Sequence, residues 1–84
     1  MDDSSEHGER VTVTVNNHPV ALASRRVSGL EIKQAAVDQH VPIQVDFVLS
    51  EELGDHRTKI IGNNDIVSVT DHSRFVAIPP DDNS

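Results

Sequence analysis

The side chains that most often carry chemistry in proteins are scattered along this sequence. Two zinc ligands on a helix are usually spaced at i and i+4, which places both side chains on one face. No histidine has a partner at that spacing; they are His7, His18, His40, His56 and His72. The absence of cysteine excludes disulfides, thiolate ligands and cysteine nucleophiles. We therefore expect no metal site and no cofactor.

Three groups that resemble catalytic or metal-binding motifs have simpler interpretations. The acidic side chains at 51, 52 and 55 are of the type that hydrolases pair, but nothing nearby predicts a pocket, so they indicate a solvated loop. The run at 63–65 lacks the alternating carboxylates and closing glutamate of a calcium loop and predicts a turn. Ser28 lacks the preceding glycine of a nucleophile elbow. The sequence therefore favours a protein that is not an enzyme.

The chain is small and acidic. Its 84 residues and 9.2 kDa give room for one domain with a single core. Fourteen acidic and seven basic residues leave a net charge of −7, whereas nucleic-acid binding needs clustered lysine and arginine. No apolar run approaches the roughly 20 residues of a membrane span, and the first residues lack the basic start of a signal peptide. We expect a cytoplasmic protein that binds neither nucleic acid nor membranes.

Both ends differ in composition from the middle of the chain. Residues 1–9 are acidic and contain no aliphatic side chain after the initiator, which predicts a disordered N-terminal arm. The last residues combine a double proline with two charges and predict a flexible C-terminal tail: Pro79, Pro80, Asp81, Asp82, Asn83 and Ser84. The folded domain is therefore expected over residues 10–78.

The clearest strand signal is the alternation of apolar and polar residues at 10–15, with the valines on the buried face. Asn16 and Asn17 follow, and asparagine tolerates the positive φ of a two-residue hairpin turn. The second strand of the hairpin would cover 18–23. Because Pro19 cannot donate a ladder hydrogen bond, this strand is predicted at a sheet edge.

A two-residue turn also fixes the register of this hairpin. It places Val13 opposite Val20 and Val11 opposite Leu22. Both apolar sets then fall on the same face of the sheet, as a half-buried hairpin requires.

Ser28 and Glu31 have the spacing of a capping box, in which each side chain bonds the backbone N–H of the other residue. This predicts a helix that begins after Ser28 and runs to about Gln39, with Pro42 beyond its end. Its stripe toward the sheet would consist of Ile32, Ala35, Ala36 and Gln39.

The remainder of the chain predicts further short strands separated by turns. Apolar runs lie at 47–49, 59–61, 66–69 and 75–78, with a charged turn expected at 51–56 and a second turn at 62–65. Which of the last two runs lies centrally stays open. The order of a hairpin, a capped helix and more strands predicts an α+β fold with one helix across one face of a mixed sheet.

One surface feature points to a partner. If 75–78 is an internal strand, alternation leaves Val76 and Ile78 on the open face, where Val48 would join them. Exposed apolar patches of this kind mark protein-binding surfaces. The alternative is that a loop or a second copy covers these residues, or that they are scattered surface side chains without a role.

The order of the elements resembles the β-grasp fold of ubiquitin-like proteins: a hairpin, one capped helix, short strands and a last strand that leads into a tail. More specifically, residues 10–79 resemble the bacterial multiubiquitin family, small ubiquitin-like domains found singly or in tandem. The segments that carry the resemblance are 11–17, 28–36, 47–49, 64–69 and 75–79. It implies a mixed sheet of four to five strands with one helix packed across one face.

The resemblance implies a protein modifier. In such systems the C-terminal carboxylate is adenylated, passed to enzyme nucleophiles and joined to a target protein. The implied partners are the activating enzyme, conjugating enzyme and deconjugating protease of the same operon, together with protein targets, in pathways that serve anti-phage defence. The alternative is a non-conjugated β-grasp binding module that regulates a neighbouring enzyme.

The end of the sequence departs from the ubiquitin pattern. Ubiquitin and the sulfur carriers end in a diglycine, whereas this sequence ends in Asp82-Asn83-Ser84, which disfavours sulfur transfer. Either a protease trims the tail, for example before Ser84, or the partner's channel accepts these residues. The candidate acceptor amines for chains are Lys33, Lys59 and the N-terminal amine, and both lysines are expected to be solvated. Amide and ester linkages both stay open.

Overall fold

The computed structural model describes residues 10–80 and contains one helix and seven strands within them. In chain order they are β1 Val11–Val15, β2 His18–Leu22, β3 Arg26–Ser28, α1 Gly29–Asp38, β4 Val48–Gly54, β5 Arg57–Ile61, β6 Ile66–Ser68 and β7 Arg74–Ile78. Five strands form one sheet in the order β2-β1-β7-β4-β5, and β3 pairs with β6 in a small second sheet. The expected arm at 1–9 and residues 81–84 of the expected tail lie outside the described residues.

The sheet is mixed, since β1 and β7 are parallel and the other pairs are antiparallel. Helix α1 packs across one face, where its buried side chains and those of the sheet form a single core. The largest fully buried side chains come from both layers, with Ile32 from the helix and Leu49 and Phe75 from the sheet. The predicted α+β, ubiquitin-like β-grasp fold is confirmed.

The first hairpin has the predicted register, with Val13 opposite Val20 and Val11 opposite Leu22. Asn16 and Asn17 have φ values of 53° and 68°, so the two-residue turn is built from the left-handed conformations that asparagine tolerates. All three valines of β1 are buried. Strand β2 lies at one edge of the sheet, as its proline predicts.

Strand β7 lies in the middle of the sheet, between β1 and β4, which answers the question that the sequence left open. Its inward side chains, Phe75 and Ala77, are almost completely buried. The other candidate run pairs instead with β3, a strand too short to be read from the sequence. Ile66 of that run is exposed, because alternation turns its neighbour Val67 toward the core.

The charged segment after position 50 was expected to be a turn, and this expectation is wrong for most of it. Strand β4 continues through Glu51 and Glu52, which pair with Lys59 and Thr58 of β5. The turn itself is only two residues long, at 55–56. Residues 54–56 all have positive φ, and the register shifts between Glu52 and Gly54. Charged residues can occupy this hairpin because its end extends past the core and is exposed.

The start of the helix agrees with the predicted capping box. The Ser28 Oγ accepts from the Glu31 N–H at 3.1 Å, and the Glu31 carboxylate accepts from the Ser28 N–H at 2.7 Å. The N–H groups of Gly29 and Leu30 donate to the carbonyls of Asp65 and Asn63 in the turn that precedes β6. All of these otherwise unpaired N–H groups are therefore bonded within the domain.

The absence of a side chain at Gly29 allows the helix start to approach that turn. A Cβ atom added to Gly29 would clash with the carbonyl oxygen of Gly62. Asp65 stabilises this turn, because its carboxylate accepts a hydrogen bond from the Gly62 N–H at 2.8 Å. At the other end the helix stops at Asp38, and His40 adopts a left-handed conformation with φ 72°.

Within residues 10–80 no helix is long and apolar enough to cross a membrane.

Candidate functional site

The three residues predicted as a partner-binding patch lie together on the open face of the sheet. Val48 pairs with Ile78 across β4 and β7, and Val76 lies two residues before Ile78 on the same face. Ile78 is 53% exposed, and Val48 and Val76 are half-buried. The neighbouring residues on β4 and β7 point into the core, so alternation directs these three side chains outward.

The structure adds a fourth residue that the sequence reasoning missed. Ile60 of β5 pairs with Ser50, which in turn pairs with Val76, so Ile60 belongs to the same face. It is 68% exposed, more than any other large hydrophobic side chain in the described residues. We call Val48, Ile60, Val76 and Ile78 the open-face patch. Recognising Ile60 from the sequence would have required the pairing of β4 with β5, which the predicted turn concealed.

A polar cluster occupies the other end of the same face. The Arg74 Nε donates to the Glu52 carboxylate at 3.2 Å, and its Nη2 donates to the Asn17 Oδ1 at 2.9 Å. Because both charged side chains are about half exposed, this pair adds little to stability. It does fix the arginine side chain over the start of β7. The open-face patch is therefore confined to the end of the sheet where β7 finishes.

Strand β7 ends beside the patch and leads directly into the first residues of the expected tail. Pro79 and Pro80 are exposed and belong to no strand. Proline has no backbone N–H, so neither residue could extend the ladder as a donor. The other expected tail residues, Asp81, Asp82, Asn83 and Ser84, lie outside the described residues.

The two lysines occupy different environments, and the expectation that both are solvated is wrong for Lys33. Its side chain is only 4% exposed, and its Nζ donates to the Phe47 carbonyl at 2.8 Å. The long aliphatic stem is covered by the domain, and this carbonyl accepts one of the three hydrogen bonds that the ammonium group can donate. Lys59 is exposed on β5, opposite Glu51. The N-terminal amine lies outside the described residues.

The acidic residues of the β4–β5 hairpin do not converge. Glu51 and Glu52 are consecutive strand residues and so point to opposite faces of the sheet, and Asp55 lies in the turn. Glu51 is opposite Lys59, and Glu52 bonds Arg74. Across residues 10–80, no group of three or more His, Asp or Glu side chains could hold a metal ion.

The sequence was compared with models of known protein families. The family model described as Multiubiquitin matches residues 11–81, from the first residue of β1 to just beyond the end of β7. The chain belongs to the multiubiquitin family. It is thus a ubiquitin-like domain, and the match covers the complete β-grasp fold together with the open-face patch. Searches of curated proteins and of solved structures found no significant match.

Proposed function

We propose that this multiubiquitin-family domain is a protein modifier whose segment after β7 is processed, activated and conjugated to target proteins. The observation that supports the proposal best is the course of β7. This strand runs through the centre of the sheet and continues directly into exposed residues at Pro79 and Pro80. A chain that leaves a rigid domain from a central strand is well placed to enter a narrow active-site channel of another protein.

The chemistry takes place on the enzymes, and this domain supplies the carboxylate. The carboxylate attacks the α-phosphorus of ATP, and pyrophosphate leaves. A nucleophile of an activating or conjugating enzyme then displaces AMP from the acyl adenylate. Finally an amine or a hydroxyl of the target displaces that nucleophile, forming an amide or an ester and losing a proton. A deconjugating protease reverses the last bond by hydrolysis. Bacterial anti-phage defence and a cytoplasmic location are part of the same proposal.

The open-face patch supplies the recognition surface for these partners. Its four apolar side chains lie at the end of the sheet from which the tail leaves, so one enzyme could hold the patch while the tail reaches its active site. Apolar residues clustered on an otherwise polar face are typical of protein-binding surfaces. Replacing Ile60 by arginine is expected to weaken conjugation, whereas Ile66→Arg is the matched control, since Ile66 is similarly exposed on β6 outside the patch.

If conjugates form on the domain itself, we propose Lys59 as the acceptor among the two lysines. Its amine is exposed on β5, whereas the amine of Lys33 is buried and bonded to the Phe47 carbonyl. An attacking amine must reach the activated carboxyl carbon, which a buried group cannot do without local unfolding.

The intact mass of the full chain tests the proposal after co-expression with the enzymes encoded beside it. A shortened chain, or a covalent adduct that disappears when residues 79–84 are deleted, is the expected result. An unmodified chain in the presence of demonstrably active enzymes would contradict it.

The second candidate is a non-conjugated binding module that regulates a neighbouring enzyme through the same patch. It is favoured by the fact that the open-face patch is complete within the folded domain and needs no reactive terminus. Deleting residues 79–84 separates the two functions. If the protein loses its biological activity when residues 79–84 are deleted, the modifier is supported. If the activity survives that deletion but is lost in Ile60→Arg, the binding module is supported.

A further inference from the structure

The side chain of Asn16 forms a pair of hydrogen bonds with the peptide group of Ala77, 61 positions away. Its Nδ2 donates to the Ala77 carbonyl at 2.9 Å, and its Oδ1 accepts from the Ala77 N–H at 2.8 Å. A carboxamide carries the same donor and acceptor as a peptide group. Asn16 therefore does for Ala77 what a neighbouring strand residue would do.

This pair continues a ladder that the backbone of β1 can no longer supply. The Thr14 N–H donates to the Ser73 carbonyl at 3.1 Å, and the Asn16 N–H donates to the Phe75 carbonyl at 3.0 Å. Beyond that point the chain turns back into β2, with Asn16 at φ 53°. The side-chain amide extends the bonding by one more step along β7, to Ala77.

Only asparagine combines the two properties that this position uses. The left-handed backbone favours glycine, asparagine and aspartate, and a β-branched or large apolar residue would be strained there. Glycine would keep the turn but has no amide. Aspartate would keep the acceptor for the Ala77 N–H but would place a second oxygen against the Ala77 carbonyl.

The opposite side of β7 is held by β4 at the same level. Leu49 pairs with Ala77, and Val48 pairs with Ile78. At the level of Ala77 the strand thus lies between the Asn16 amide, which bonds both Ala77 backbone groups, and β4, immediately before it ends at Ile78, and Pro79 has no N–H with which to continue. The change from sheet to tail is therefore confined to one point of the chain.

We propose that Asn16 is a positioning residue that fixes the point where the tail leaves the sheet, and so sets the tail's starting position beside the open-face patch. The inference rests on the proposed function as a conjugated modifier. Without the amide pair, the end of β7 would be held only by β4, and the tail would start from a variable position. A displacement of about 1 Å in a reacting group can lower the rate of a chemical step by about a hundredfold.

The test compares two glycine variants of the same turn in the full chain. Asn16→Gly keeps the positive φ and removes the pair with Ala77. Asn17→Gly also keeps its positive φ and removes only the bond from Arg74. Amide hydrogen exchange of Ala77, measured by NMR, should quicken by about tenfold or more in Asn16→Gly and remain near the wild-type rate in Asn17→Gly. Unchanged exchange of Ala77 in Asn16→Gly would overturn the inference.

The second readout is the rate at which the activating enzyme adenylates the trimmed or full-length tail. This rate is measured through the pyrophosphate that is released. Asn16→Gly is expected to lower kcat by about tenfold with less than a twofold change in KM, and Asn17→Gly to leave both near wild type. Equal kinetics in the two variants would also overturn the inference. Asn16→Asp serves as a second variant if Asn16→Gly does not fold, and the same loss of kcat is expected.

Failure of the proposed function gives a different pattern. If the wild-type chain releases no pyrophosphate with an active enzyme, the modifier proposal fails and the role of Asn16 in tail activation fails with it. Hydrogen exchange would still report whether the Asn16 amide holds Ala77.

Discussion

Lys33 and Lys59 differ in reactivity because one amine is buried and the other is exposed. The Lys33 Nζ is bonded to the Phe47 carbonyl, so a reagent reaches it only when the domain opens locally. With an amine-selective acylating reagent under native conditions, we expect Lys59 to react at least about tenfold faster than Lys33. Peptide mass mapping measures the two rates. In denaturant they should become equal, and equal rates in the native protein would contradict the burial of Lys33.

Lys33 lies at a helix position that periodicity assigns to the core, although its residue type is typical of the surface. The buried positions of α1 are Gly29, Ile32, Lys33 and Ala36, which follow the i, i+3, i+4, i+7 pattern of a core-facing helix. The predicted stripe contained Ala35 and Gln39 and left out Lys33, which was expected to be solvated, as an ammonium group is rarely buried without a partner. The partner of Lys33 is the Phe47 carbonyl, 14 residues away, which no local sequence pattern predicts.

At the scale of elements, the capping box of α1 makes a measurable contribution to stability. Ser28→Ala removes the acceptor for the Glu31 N–H and is expected to lower the free energy of unfolding by about 1 kcal/mol. Urea denaturation followed by circular dichroism measures this loss. Glu31→Gln is the matched control, since glutamine preserves the capping box and should cost only a fraction as much. A loss as large for Glu31→Gln as for Ser28→Ala would argue against the box.

Strand β2 is an edge strand, and two features reduce the number of free backbone groups on its outer side. Pro19 offers no N–H, and the Gln39 side chain bonds both backbone groups of Ala21, at 2.9 Å to the N–H and 2.8 Å to the carbonyl. Free strand edges pair with other chains, and proline or a covering group prevents it. The prediction that Gln39 lies on the helix stripe facing the sheet is therefore wrong: it is exposed just beyond the end of α1 at Asp38 and bonds the edge of the sheet.

Opening this edge is expected to cause self-association. The double variant Pro19→Val with Gln39→Ala supplies a free N–H at position 19 and frees both backbone groups of Ala21. Sedimentation velocity over a range of concentrations should reveal oligomers that the wild type does not form. Pro19→Val with Gln34→Ala is the control, because Gln34 is exposed on the helix and bonds no strand. Monomeric behaviour of both double variants would refute this role of Gln39.

At the scale of the whole molecule, stability depends on which side of the sheet a charge is placed. Val13 is completely buried and Thr12 is exposed, although they are neighbours on β1. A lysine at position 13 would bury an unpaired charge at a cost comparable with the stability of a small domain, about 5 kcal/mol or more, and should unfold it. Thr12→Lys should change stability by less than about 0.5 kcal/mol. Circular dichroism distinguishes these outcomes, and equal tolerance would contradict the register of β1.

Local patterns predicted the hairpin register, the helix and the fold class, because each depends on residues close together in the chain. The order of the strands in the sheet depends on pairings between distant segments. Strand β7 reaches its central place by pairing with β1, some 60 residues earlier, and with β4 on its other side. The open-face patch was therefore predicted only in part. Val48, Val76 and Ile78 follow from alternation, whereas Ile60 joins them through the β4–β5 pairing.

The parallel arrangement of β1 and β7 has a mechanical consequence. The first and last strands of the domain lie side by side and point the same way, joined by the bonds from Thr14 to Ser73 and from Asn16 to Phe75 and Ala77. A pull on the two ends of the domain acts along both strands, so these bonds are sheared together, whereas a hairpin pulled apart at its open end loses its bonds one at a time. If the domain is conjugated as proposed, an unfolding machine that draws in the conjugate is expected to unravel a softer target while the attached domain stays intact.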